Sequence, residues 1–147
     1  MLVDAATEPR LEEPEVAESL GLSSAQAQAI GTGDLDMGLT HCRDPYDSPH
    51  RSDGKVCHVA PAMCMLCRNA VIFTSQLPRL LMLSDHIERM RAALPPPQWQ
   101  AVWGRQAAAL NEVFAECADL LPAARQQVVD LGLRLDLPLG QRTEFDR

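Results

Sequence analysis

At 147 residues with 46% apolar side chains, the chain is long enough to bury one core. It contains no apolar run of the ~18 residues that a membrane-spanning helix needs. The net charge of −7 sits at the front: residues 1–39 hold eight acidic side chains against Arg10 alone, whereas residues 40–147 balance 12 acidic with 12 basic ones. That distribution offers no basic stripe of the kind autonomous DNA binders carry, and it makes residues 1–33 an acidic leader expected to be solvated and mobile.

The first ten residues read as disordered. Pro14 can open a short helix through Leu20, closed by Gly21, and Ser23 with Gln26 three residues on forms a capping-box start for a second helix to Ile30. Gly31-Thr32-Gly33-Asp34 breaks the pattern. From His41 to Val59 neither helical nor strand periodicity is present, only the turn signals Asp44-Pro45, Ser48-Pro49 and Asp53-Gly54. A stretch of that length inside a compact domain needs something to hold it, and a metal ion would do so.

After Cys67 the pattern reads as helical. Pro78 suits a first helical turn, and Leu80, Leu83, Ile87, Met90 and Leu94 fall on one face. Pro95-Pro96-Pro97 ends that helix and starts the next, in which Trp103, Leu110 and Cys117 repeat every seven residues, as do Ala107, Phe114 and Leu121. A third helix is expected from Ala123 to Leu131 with Gly132 as its stop, and Leu135, Leu137 and Leu139 alternate in an extended tail. The expected fold is mainly α: a small helical bundle with an irregular, zinc-stabilised Cys-rich loop, organised as a leader (1–33), a Cys-rich segment (34–76) and a helical body and tail (77–147).

Four of the five cysteines, Cys42, Cys57, Cys64 and Cys67, lie within 26 residues, and the last two form a Cys-x-x-Cys pair. Such a pair offers two thiolates to one ion from a single tight turn, and two more thiolates complete the tetrahedral shell that structural Zn2+ favours. The chain opens Met1-Leu2-Val3-Asp4 without the basic and apolar regions of a secretory signal, so a reducing cytoplasmic setting is expected, where clustered cysteines serve as metal ligands rather than disulfides. The spacing Cys-x14-Cys-x6-Cys-x2-Cys matches no common zinc-finger template. His41, His50 or His58 can each stand in for one thiolate, since imidazole is as good a zinc donor, or can be ordinary surface residues. Cys117 reads as a small core residue.

Other chemistry is thin. A thioredoxin-like dithiol would need a βαβ setting that depresses one thiol pKa, and two further cysteines accompany this pair. His86 and Arg89 form a His-x-x-Arg, but on a helix whose other face carries Leu83, Ile87 and Met90 they read as a solvated stripe. Trp99 and Trp103, one turn apart, read as core. No phosphate loop, no Ser/His/Asp set and no evident small-molecule site is present in the sequence.

The run Leu35-Asp36-Met37-Gly38-Leu39-Thr40-His41-Cys42-Arg43-Asp44-Pro45-Tyr46-Asp47-Ser48-Pro49, with Gly54-Lys55-Val56-Cys57, Cys64-Met65-Leu66-Cys67-Arg68-Asn69-Ala70-Val71 and Leu77-Pro78-Arg79-Leu80-Leu81, resembles a C-terminal region of large actinobacterial integrase-like proteins related to tyrosine recombinases. The resemblance covers residues 34–147. In that family the segment follows the catalytic domain, whose arginines, His-x-x-Arg and terminal tyrosine have no counterpart in the 34 or so residues upstream here; the only tyrosine, Tyr46, lies within the cysteine loop. The resemblance therefore implies an accessory, noncatalytic module without the cutting and joining chemistry, with DNA or a recombinase-type protein as partner. The rival expectation is a protein-interaction adaptor with no DNA role.

Overall fold

The computed structural model describes residues 1–49, 56–57 and 61–135. It is mainly helical, with a small three-stranded sheet that no periodicity in the sequence announces. The chain divides into two compact units, Met1–Ser75 and Gln76–Leu137. Among the described residues, no helix is long and apolar enough to cross a membrane.

In the first unit the leader is folded. Strand β1 (Leu2–Val3) is followed by a 3-10 segment (Ala5–Arg10), in place of the disorder expected there. Asp4 caps that segment by accepting from the Ala6 N–H at 2.7 Å. Helix α1 (Pro14–Ser19) starts on its proline, and Gly21, at φ +68°, turns the chain into α2 (Ser24–Gly31). The Ser23 capping box is present with both of its hydrogen bonds, Gln26 N–H to Ser23 Oγ and Ser23 N–H to Gln26 Oε1.

The sheet order is β1-β3-β2, with β3 (Ala70–Phe73) parallel to β1 and antiparallel to β2 (His41–Cys42). All four residues of β3 are buried, so it carries no alternation and reads in sequence like a continuation of the apolar run into the helix that follows. Val71 and Phe73 join Val3, Leu11, Ala17, Leu22, Ala27 and Ile30 in one core. Apart from the half-buried Glu8, the acidic side chains of the leader are exposed while its apolar residues are packed on β3.

A short helix α3 (Pro61–Cys64) delivers the Cys-x-x-Cys pair. The second unit contains α4 (Leu77–Ala93), α5 (Pro96–Glu116) and α6 (Leu121–Asp130). Leu80, Leu83 and Ile87 are buried as the spacing requires, and so are Trp103 and Leu110 on α5 and Cys117 just after it, while Ala107, Phe114 and Leu121 are half-buried. The break between α5 and α6 comes at Cys117 and a 3-10 turn, Ala118–Leu120, rather than at Pro122, which occupies the first turn of α6. Gly132 ends α6 region with φ +56°. The tail from residue 136 onward, including Leu137 and Leu139, lies outside the described residues.

The tryptophans are core residues, each with a specific contact. The Trp99 indole N–H donates to the Ile87 carbonyl at 2.9 Å, and the Arg91 guanidinium lies 3.7 Å over the Trp99 ring centroid. His86 is not simply solvated: its ring meets Trp103 edge-on at 5.6 Å, and burial, then the nearby Arg89 charge, holds its pKa below the ordinary histidine value.

Two outcomes follow for the helical unit. Leu83→Ala, at a fully buried position, is expected to cost about 2–5 kcal/mol in denaturant unfolding followed by tryptophan fluorescence. Because the folded His86 has the lower pKa, the unfolded chain takes the proton first. Its contribution is therefore intact above about pH 6.5 and is lost as pH falls below it. The melting temperature of wild type should drop more between neutral pH and pH 5 than that of His86→Asn; parallel curves would refute the assignment.

Candidate metal centre

Cys42, Cys57, Cys64 and Cys67 all line one cavity of about 20 Å³ in the first unit, together with Met37, Thr40, His41, Pro45, Ser48, Asn69 and Ala70. The volume is that of about one water-sized occupant. Cys57 and Cys64 are buried against the half-buried Met37 and Met63, and all five cysteines of the chain are free thiols.

Each arm of the site is set by backbone hydrogen bonding. Cys42 ends β2, where it pairs with Ala70, and its N–H donates to the Leu35 carbonyl at 2.9 Å. Cys57 is tied back by its N–H to the Pro45 carbonyl at 3.1 Å. The Cys-x-x-Cys turn is closed by the Cys67 N–H to the Cys64 carbonyl at 3.0 Å, and the Ala70 N–H then donates to Cys67 O, leading the chain into β3.

Two of the sulfurs receive a backbone donor from two residues downstream. Asn69 N–H points to Cys67 Sγ at 3.5 Å, and Asp44 N–H bonds the Cys42 sulfur. The local sequences match, Cys42-Arg43-Asp44 and Cys67-Arg68-Asn69, and the two turns are fastened side by side. Arg43 N–H donates to Asn69 O at 2.8 Å, and the buried Asn69 side-chain amide donates to the carbonyls of Asp44 (2.9 Å) and Asp47 (3.0 Å). Asp44 Oδ1 in turn accepts from the N–H groups of Tyr46 and Asp47, which makes 44–47 a rigid turn.

Electrostatics reflects the crowding. Burial, followed by the nearness of Cys57, Cys42 and Cys67, pushes the Cys64 thiol up to about 12. Burial foremost also raises Cys42, with Cys67 and Cys57 adding to it against the Asp44 N–H bond. For Cys64 this is the reverse of an attacking redox thiolate, which needs a depressed pKa. A dication in the cavity reverses the balance, since it ionises coordinating thiols.

The donors fit zinc in type and number, a soft tetrathiolate set of the kind that takes Zn2+ in tetrahedral geometry. As placed, no three His, Cys, Asp or Glu side chains among the described residues already stand as a group that would hold an ion. The pocket is thus thiol-lined without being a finished coordination shell, and capture of an ion requires the sulfurs to close in.

His41 borders the cavity, but its ring packs edge-on against Phe73 at 5.2 Å. Alternation along β2 accounts for this: His41 pairs with Val71 and shares the core side, whereas Cys42 pairs with Ala70 and faces the cavity. His50 and His58 lie outside the described residues. Cys117 is remote in sequence and belongs to the helical unit, where it is buried and its thiol donates to Val113 O at 3.0 Å. Sequence reasoning missed Asn69 and Thr40; the repeated Cys-Arg-Asp/Asn triplet, with an amide side chain opening an apolar strand, is the signal that could have found the first.

Asn69→Ala removes both amide bonds that join the two cysteine turns and is expected to destabilise the first unit by about 1–3 kcal/mol; Asn69→Asp, which aims a carboxylate at two carbonyls, should cost more. Amide hydrogen exchange over residues 41–47 and 67–73 reads this directly, and unchanged protection in both variants would remove Asn69 from the framework. Comparison of the chain with family models, with curated proteins and with solved structures finds no match.

Proposed function

We propose that the chain is a noncatalytic, zinc-stabilised module that serves in DNA mobility or nucleoprotein assembly, in the manner of an accessory tail of the integrase-like proteins its cysteine segment resembles. The observation that carries the zinc part is the convergence of Cys42, Cys57, Cys64 and Cys67 on one ion-sized cavity. Ion binding there becomes folding free energy for the first unit, because the cysteines come from β2, the segment around residue 57, α3 and the turn before β3. The DNA part is supported by the sequence resemblance alone. The partner is then a duplex, or a recombinase-type protein already on one.

A second reading, a protein-interaction adaptor with no DNA role, is favoured by a different observation. The acidic leader folds into an open groove of about 250 Å³ lined by Leu11, Glu12, Pro14, Ala17, Ser24, Ala27 and Gln28; Glu15 and Glu18 are exposed on α1, and Glu13 is paired with Arg10 at 2.8 Å. An apolar floor with an acidic rim suits a basic peptide better than a phosphate backbone.

Reduced full-length protein supplied with zinc should show one bound ion by native mass spectrometry, and chelation should unfold the cysteine region. Metal-free spectra would overturn the zinc part. A gel-shift titration should show duplex binding at low salt that weakens steeply as salt rises. Absence of any shift at low salt hands the function to the adaptor reading.

A further inference from the structure

Thr40 precedes the paired residues of β2 and is fully buried. The turn that carries it is fixed: Met37 N–H donates to Thr40 O at 2.8 Å, Gly38 sits at φ +90°, and its N–H is held by Asp36 Oδ1 at 2.8 Å. The hydroxyl itself has no nitrogen or oxygen partner among the described residues. A buried hydroxyl in that condition is uncommon in a folded protein and calls for a cause. Thr40 lines the thiol cavity, and the sulfur it neighbours is Cys64, where its O–H acts as a donor to the charged form.

Two of the other sulfurs already have donors of their own, Cys42 from Asp44 N–H and Cys67 from Asn69 N–H. Four thiolates around one dication leave a net charge of about −2 in a buried place, and outer hydrogen bonds to the sulfurs are what make such a centre tolerable. A hydroxyl is a weak partner for a neutral thiol and a good one for a sulfur that has given up its proton. Three donors, two flanking β2 and one preceding β3, thus serve three of the four sulfurs.

We propose that Thr40 is a positioning residue of the metal centre, donating its Oγ1–H to Cys64 Sγ once an ion replaces the proton on that sulfur and completing an outer shell with Asp44 N–H and Asn69 N–H. The proposal rests on the zinc reading above and goes beyond it by assigning the shell that selects a thiolate-bound dication. It also gives the orphaned hydroxyl its purpose: it waits for a charge that only the loaded site supplies.

Thr40→Val keeps the shape and deletes the donor, and Thr40→Ser keeps the donor. The probe is Co2+, added to the reduced full-length chain and read by its thiolate charge-transfer absorption, with Zn2+ competition giving the relative affinity. Thr40→Val should weaken binding about 10–100-fold and shift the charge-transfer band, while Thr40→Ser returns both toward wild type. The metal-free Thr40→Val protein should unfold no earlier than wild type, because it loses an unpaired polar group and not a bond. Thr40→Val with wild-type affinity and an unmoved band overturns the proposal and leaves Thr40 as filling. If wild type itself takes up no cobalt and no zinc, the metal reading fails, which is a different result from an unaltered variant.

Discussion

The first unit hangs on one buried strand. β3 has no solvent face: Val71 and Phe73 complete the apolar core with Val3, Leu11 and the two leader helices, and Ala70 borders the thiol cavity. It also carries hydrogen bonds on both sides, to β1 and to β2. Because it begins three residues after Cys67, the position of the Cys-x-x-Cys turn and the position of the core are one decision. The acidic leader is ordered for the same reason, since its apolar residues have nowhere else to go.

What the sequence revealed and what it hid follow from the physics of each signal. The helices were legible wherever one face is buried and the other wet: Leu80, Leu83 and Ile87 on α4, Trp103 and Leu110 on α5, and the Ser23 capping box that opens α2. The sheet was not legible, because two-residue strands carry no period and β3 is buried on both faces. The four thiols were legible as a set from their clustering, while the part of Asn69 depends on a hydrogen-bond partner 25 residues away, which no local pattern encodes. The packing of the His41 ring on Phe73 at the border of the cavity was equally hidden, being decided by the pairing of β2 with β3.

The two cysteine turns are fastened to each other by backbone and side-chain hydrogen bonds. The Asp44–Asp47 turn is braced by its own aspartate, by the Asn69 amide and by an exposed Arg68–Asp47 pair at 3.1 Å that adds little in water. The cost of the arrangement is carried by the thiols: without an ion they are crowded and desolvated, and Cys64 holds its proton far above the usual range.

Adjacent residues on β2 serve opposite compartments, His41 the apolar interior beside Phe73 and Cys42 the cavity. A single inserted or deleted residue at that strand would therefore swap imidazole for sulfur on both sides at once. Length changes should be forbidden between Leu39 and Asp44, so an indel map of that segment would trace the strand's frame as sharply as any substitution.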